Sequence, residues 1–375
     1  MRVVFHAPLK PPEHPAPSGD REIARLLLRA LEQAGIAAER PFALRMFDPR
    51  GDASLMRRLA AEARDAAGRF VEEAQSRPPA ERPGAVLTYH VHYKAPDVFG
   101  PAVATALGLP YVVVEGSRAP KRAGGPWAVG HALAEAALDR ADAVLIMNAR
   151  DRPMLEAARP TAQRLIDFPP FLDAAAWPRL ERPAATAAGR PRLLAVGMMR
   201  AGDKLASFRV LAEALATLDE RPWTLDVAGD GPARPEVEAA FARFGDRVRL
   251  HGELDRAGLA RLYAGADLLA WPAVNEAFGM AFLEAALFGC PALAGAYGGV
   301  AGVVDNGRTG VLTPPGDAAA FASALGSLLD APGRLRALSV AARDQALGGR
   351  TLDAASARLR GALAEAGRAF AERAS

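Results

Sequence analysis

The chain has 375 residues, 50% of them hydrophobic and 24% charged, so at roughly 150 residues per domain it predicts two or three domains with ample cores. Lysine plus arginine (46) and aspartate plus glutamate (43) nearly balance at a formal net charge of +3, which gives no basic footprint for nucleic acid. The single cysteine, Cys290, excludes an intramolecular disulfide and any multi-cysteine metal site, and its small, apolar neighbours predict a packed core thiol.

Short apolar runs alternate with longer amphipathic segments, the pattern of strands feeding helices. Residues 2–8 read as a strand, and 20–34 as a helix with Ile23, Leu26, Leu27, Ala30 and Leu31 on one face. Strands are predicted at 85–89, 111–114 and 143–147, with a helix at 127–141. Their continuous hydrophobicity implies a sheet covered on both faces, as in parallel sheets. From 168 to 191 prolines interrupt any period, which predicts a semi-stiff linker over 171–191. The alternation then restarts. Strands are expected at 192–196, 224–228, 248–251, 268–271 and 292–294, and helices at 206–218, 235–244, 257–264 and 278–288. The expectation is an α/β chain with two doubly wound, Rossmann-like domains, 1–170 and 192–350, facing across a cleft. The amphipathic stretch 352–375 is expected to pack back on the first domain. Ligands in such sheets bind beyond the carboxyl ends of the strands.

The opening MRVVFHAPLKPP lacks a signal peptide's apolar core, and no run of about 18 apolar residues occurs that could span a membrane. A reducing cytoplasm is the expected compartment, with peripheral contact at the membrane's inner face left open.

The most informative segment is WPAVNEAFGMAFLEAALFGCP, residues 271–291. A strand ends at Trp271, a loop carries Asn275 and Glu276, and a helix is expected from Phe278, with Glu284 about two turns into it. The spacing alone proves little, since Glu73 and Glu81 share it by chance. Placement distinguishes the pair. A helix N-terminus between two carboxylates offers N–H groups and a positive dipole end to a phosphate, and Gly279 permits close approach.

This segment resembles the Glu–seven residues–Glu signature of retaining glycosyltransferases, specifically glycosyltransferase family 4 with its GT-B fold. AVGMMRAGDKLASFRVLAEAL, DVAGDGP, RVRLHGEL, LARLYAGADLLAWPA and YGGVAGVVDNGRTGVLTPPGD follow in that family's order. The resemblance implies transfer of a sugar from a nucleotide sugar, a UDP- or GDP-sugar foremost, to a hydroxyl of a sugar, lipid-linked or other acceptor, in bacterial glycan or glycoconjugate synthesis. By it, Glu276 contacts the transferred sugar and Glu284 the donor ribose. Backbone N–H groups of Phe278, Gly279 and Met280 hold the distal phosphate, and Lys204 neutralises the diphosphate. His251 and Gly252 lie where the family seats the base. The family's arginine directly follows its glycine, whereas here Met198 follows Gly197. Either Arg200 reaches the phosphate from a rebuilt loop or part of the clamp is missing. Ala301 and Gly302 likewise stand where the family often has proline and glutamate.

In the first half, Ser18 and Gly19 occupy the place of the family's two loop glycines, with Asp20 expected as a helix cap. His90 and His92 end a strand at alternate positions, which point to opposite faces if the chain stays extended. His92 best matches the family's cleft histidine. Glu115, Ser117, Lys121 and Arg122 form a loop that would suit an acidic or phosphorylated acceptor or would simply be solvated. No Asp-x-Asp, Gly-x-Gly-x-x-Gly or Walker motif occurs, so neither a metal–diphosphate clamp, a dehydrogenase nor a nucleoside triphosphatase is indicated. No metal and no separate cofactor is expected. The rival readings are a GT-B-like epimerase or phosphorylase and a non-catalytic nucleotide-sugar-binding subunit.

Overall fold

The computed structural model describes residues 1–16, 18–182, 190–276 and 278–374, and the chain divides into two compact units. Unit 1 takes Met1–Pro169 and the chain from Leu352 onward; unit 2 is Pro170–Thr351.

Unit 1 contains β1 (Arg2–His6), α1 (Gly19–Gln33), β2 (Ala37–Glu39), α2 (Ala53–Ser76), β3 (Ala85–Val91) and α3 (Phe99–Leu107). It continues with β4 (Tyr111–Gly116), α4 (Ala128–Arg140), β5 (Ala143–Ile146), α5 (Arg152–Ala157) and β6 (Arg164–Asp167). The strands form one parallel sheet in the order β2-β1-β3-β4-β5-β6. β4 and β5 are buried along their whole length, which is why they read as unbroken apolar runs. Helix α2 has no counterpart among the expected elements. Its inner face, Met56, Ala60, Ala63, Ala67, Phe70 and Ala74, is mostly alanine, which buries too little area to stand out as a hydrophobic stripe.

Unit 2 contains β7 (Arg192–Val196), α6 (Asp203–Ala216), β8 (Thr224–Ala228), α7 (Arg234–Phe241), β9 (Val248–Gly252) and α8 (Arg256–Gly265). It continues with β10 (Leu268–Trp271), α9 (Met280–Leu287), β11 (Ala292–Gly295), β12 (Gly310–Thr313), α10 (Ala318–Leu329) and α11 (Pro332–Gly349). Its parallel sheet runs β12-β11-β10-β7-β8-β9, the Rossmann strand order read from the other edge. Helix α12 (Leu352–Ala374) belongs to unit 1, where it packs on α1 and the Gln33 amide bonds Asp353.

Part of the predicted linker, residues 183–189, lies outside the described residues. The stretch before it is aperiodic but packed into unit 2. Trp177 meets the rings of Tyr263 and Phe288 at 6.0 and 5.7 Å, and the Leu172 N–H bonds the carbonyl of Arg350 at 2.9 Å. Cys290 is buried, and burial pushes its thiol up to about 12, consistent with an inert core residue. Among the described residues no helix is long and apolar enough to cross a membrane.

The GDGP segment after β8 is a packed turn. A Cβ on Gly229 would stand 1.9 Å from the Gly197 carbonyl oxygen, and one on Gly231 2.4 Å from that of Met199, with φ of +136° and +149°. These contacts seat the loop that follows β7. Gly229→Ala should therefore cost more than about 1 kcal/mol in urea unfolding. Gly124→Ala, where nothing lies within 4 Å of the new Cβ, should stay within about 0.5 kcal/mol of the parent.

Candidate active site

In unit 2 the direction of strand connection reverses between neighbours β7 and β10, the point at which an open α/β sheet leaves a crevice. The loop after β7 leads into α6, whose second residue is Lys204. The loop after β10 carries Asn275 and Glu276. Across this point the Lys204 ammonium bonds the Glu276 carboxylate, with the two side chains 25% and 18% exposed. Lys204 also lies 5.7 Å from the ring centre of Trp271, at the end of β10. Asn275 Nδ2 donates to Asp203 Oδ2 at 2.6 Å, and the Val274 N–H donates to Ser207 Oγ at 3.0 Å. The loop is thus tied to the first turns of α6 at three places. Ala273 and Asn275 hold left-handed backbone, φ +55° and +54°.

Helix α9 begins two residues later than the sequence predicts. Gly279 is its N-cap, in left-handed conformation at φ +69°, and a Cβ there would meet the Phe282 ring at 2.4 Å. Phe278 and Gly279 therefore precede the helix, whose unpaired first-turn N–H groups come from Met280 and Ala281. Glu284 is consequently little more than one turn into α9, not two. Its Oε2 accepts the Tyr263 hydroxyl at 2.9 Å. Arg200 is exposed, in a tight turn whose N–H bonds the Met198 carbonyl at 3.0 Å. His251 sits at a bulge between β8 and β9, where its Nε2 meets Asp226 Oδ1 at 2.6 Å. Gly252, at φ +71°, gives its carbonyl to the Gly229 N–H at 2.8 Å.

Unit 1 repeats the arrangement between β1 and β3. Ser18 caps α1 by accepting the Arg21 N–H at 3.2 Å, so Asp20 is not the expected cap. Instead, Asp20 Oδ1 meets His90 Nδ1 at 3.0 Å. His90 is left-handed at φ +65°, so the strand does not stay extended through it. The His90 and His92 rings accordingly lie 4.9 Å apart rather than on opposite faces. Burial works against the His90 cation, but the hydrogen bond and charge of Asp20 outweigh it and raise its pKa; the Asp20 carboxyl is lowered in return. His92 accepts the Lys94 N–H on Nδ1 at 3.2 Å, which leaves its proton on Nε2. Burial, reinforced by the His90 charge, holds its pKa down to about 3, so it is a neutral donor rather than an acid–base group.

Glu115, next to last in β4, holds left-handed backbone at φ +63° and is 4% exposed. Burial pushes its carboxyl up to about 7, against the His90 charge and the N–H groups of Met147 and Asn148. Asp151 joins this group, its carboxyl raised by burial and bonded by Ser117. Sequence reasoning missed Asp151, whose only signal is a position in the loop after β5. Among the described residues no three His, Cys, Asp or Glu side chains gather where they could hold a metal ion.

Because the folded Glu115 holds its proton up to about 7 while the unfolded chain releases it near 4.5, the native state binds more protons between those values. The Glu115 contribution to stability should therefore fall as pH rises from 4.5 to 7. Glu115→Gln should flatten that decline, measured as urea midpoints across the range. An equally steep decline in the variant would mean that Glu115 ionises normally.

Residues 190–331 match the family described as Glycosyl transferases group 1. A D-inositol 3-phosphate glycosyltransferase of Xylanimonas cellulosilytica is 40% identical over 140 residues, 36% of this chain and 33% of that protein. A 2-deoxystreptamine glucosyltransferase of Streptomyces kanamyceticus is 32% identical over 256 residues, 62% of this chain and 65% of that one. The chain thus spans between one third and just under two thirds of these relatives. Among solved structures, sucrose-phosphate synthase of Thermosynechococcus elongatus superposes with a TM-score of 0.69 at 20% identity, covering 96% of this chain and 98% of that one. The Anabaena protein HepE in complex with UDP and glucose gives 0.67 at 18% identity, covering 97% and 99%. With its two parallel six-stranded sheets, the chain has the GT-B fold, and its second unit is similar to glycosyltransferases.

Proposed function

We propose that this chain is a glycosyltransferase that moves a sugar from a UDP- or GDP-sugar to an acceptor hydroxyl, with retention at the anomeric carbon and without a metal ion. The observation that carries the reading is the Lys204–Glu276 bond at the switch point of the β7–β12 sheet, inside the stretch that matches glycosyltransferases. The UDP and glucose bound to the similarly folded Anabaena protein support the donor class.

In this reading Lys204 and the first-turn N–H groups of α9 receive the diphosphate, whose negative charge grows as it leaves. Glu276 faces the sugar and Glu284 the ribose, since a carboxylate accepts two hydroxyl donors at once. His251, Gly252, Asn275 and Arg200 complete the donor side. Ser18, Gly19, Asp20, His90, His92 and Glu115 serve the acceptor side. The departing phosphate oxygen takes the acceptor proton, so no separate base is required.

The test is turnover of UDP- and GDP-sugars with the anomeric configuration of the product read by NMR. Activity should survive EDTA and retain configuration. Loss with EDTA that magnesium or manganese restores would overturn metal independence, and an inverted product would overturn retention.

Lys204→Ala should weaken nucleoside diphosphate binding by about tenfold to a hundredfold, as for a lost hydrogen bond to a charged group. Glu276→Gln should lower turnover strongly while the free diphosphate still binds. Because the two side chains are bonded to each other, their effects on diphosphate affinity should not add in a double-mutant cycle. Additive effects in calorimetry would mean that the pair does not act as a unit.

A further inference from the structure

The loop that follows β11, residues 296–304, is held by a side chain to which nothing above gives a role. At its start the Gly295 N–H bonds the Pro272 carbonyl at 3.0 Å, and a Cβ on Gly295 would stand 2.2 Å from that oxygen. Pro272 begins the loop that carries Glu276. Strand β11 adjoins β10 on the side away from β7, so the loop after β11 flanks the Glu276 loop on the side opposite the loop before α6. Within it, the Gly302 N–H bonds the Gly299 carbonyl and the Val304 N–H that of Val300, at 2.8 Å each. Val300, Val303 and Val304 are buried, whereas Ala296 and Tyr297 are exposed. The loop thus has a packed base and an open tip.

That base is tied to a residue far along the chain. Arg350, at the C-cap of α11, donates from Nη2 to the Gly302 carbonyl at 2.5 Å and from Nη1 to the Pro170 carbonyl at 3.3 Å. Its own carbonyl accepts the Leu172 N–H at 2.9 Å, and Leu172 and Thr351 form a parallel bridge. One residue therefore joins three segments of unit 2: residues 170–172, the end of α11 and the loop. A guanidinium suits this task, because its planar donors hold two carbonyls at a set spacing, which an ammonium on a flexible stem does not. Side-chain packing does not hold residue 302 in its place, since a Cβ there would meet nothing within 4 Å.

We propose that Arg350 is a positioning residue, which by holding Gly302 sets the open tip of the 296–304 loop against the sugar of the donor. Only the sugar rests on the proposed function; the holding of the loop stands without it. Amide hydrogen exchange of residues 296–304 tests the holding. Calorimetry with UDP-glucose, UDP, GDP-mannose and GDP tests the sugar. Both are run on the parent, Arg350→Ala, Arg350→Gln, Arg350→Lys and Ser339→Ala. Ser339 also donates from α11 to a main-chain carbonyl, that of Gly289 at 2.5 Å, but outside the loop. Arg350→Ala should speed exchange in the loop by about tenfold and weaken the sugar nucleotide that the parent binds by about tenfold, as for a lost hydrogen bond to a charged group. Its affinity for the free diphosphate should stay within about twofold of the parent. Arg350→Lys should recover part of both effects, and Ser339→Ala should match the parent. If the alanine variant does not fold, Arg350→Gln decides by the same measures. Loop exchange as in the parent overturns the proposal. So does equal weakening of sugar nucleotide and free diphosphate, or none of either. A parent that binds no sugar nucleotide, with the loop exchanging as stated, overturns the glycosyltransferase reading and leaves the holding of the loop in place.

Discussion

The bonds Lys204–Glu276 and Asp20–His90 occupy equivalent places in two separate sheets, and the constraint that puts them there is parallel strand order. A parallel strand must be reached by a crossover, and crossovers are right-handed, so every strand ends at the same edge of its sheet. At most positions consecutive loops turn the same way and cover that edge. Only where the order of connection reverses do two loops turn apart and leave a crevice. In unit 2 these are the loops after β7 and β10, and in unit 1 those after β1 and β3. Each crevice is bridged by one pair of charged groups beside those loops, Lys204 at the head of α6 with Glu276, and Asp20 at the head of α1 with His90 near the end of β3.

Both crevices also carry backbone strain. Among the described residues, the non-glycine positions with positive φ are His90, Glu115, Ala273 and Asn275. All four lie at or just beyond the carboxyl end of a strand. Such conformations cost on the order of 1–3 kcal/mol each unless the side chain favours them, as asparagine does. Three of them have hydrogen-bond partners that hold them in place. His90 is held by Asp20, Glu115 by the N–H groups of Met147 and Asn148, and Asn275 by Asp203. What the strain achieves is aim. It turns the chain out of the strand direction in the space of one residue.

Much of this was legible in the sequence, for identifiable reasons. Strand β10 was readable residue for residue, because LLAW is an apolar run bounded by polar and turn residues. The alternation that restarts at Arg192 marked a second sheet. Alanine concealed α2, since small side chains make a weak stripe. The packed stretch before Arg182 looked structureless because its anchors, Leu172 and Trp177, follow no period. Local rules also misplaced the start of α9, where the left-handed Gly279 delays the helix and brings Glu284 nearer its head. The Asp20–His90 bond joins residues 70 apart in sequence, and no local pattern announces it. Asp20 looked like a cap because capping is the commonest local use of an aspartate before a helix, and Ser18 had already taken that role.

In the proposed reaction, the same tertiary bonds decide how the chemistry is organised. Glu276 sits on a loop, and a loop carboxylate would ordinarily be too mobile to face a sugar ring with useful precision. Here three contacts to α6, through Lys204, Asp203 and Ser207, tie that loop to the helix bearing the phosphate-binding lysine. The proposed diphosphate and sugar sites are thus joined by three contacts. The Lys204–Glu276 bond has a further consequence. Each of the two partly buried charges is balanced by the other. In the proposed reading a bound diphosphate would compete with Glu276 for Lys204, so that the carboxylate would be free to face the sugar. In that reading, binding of the leaving group and exposure of the sugar-facing carboxylate would be coupled through a single lysine.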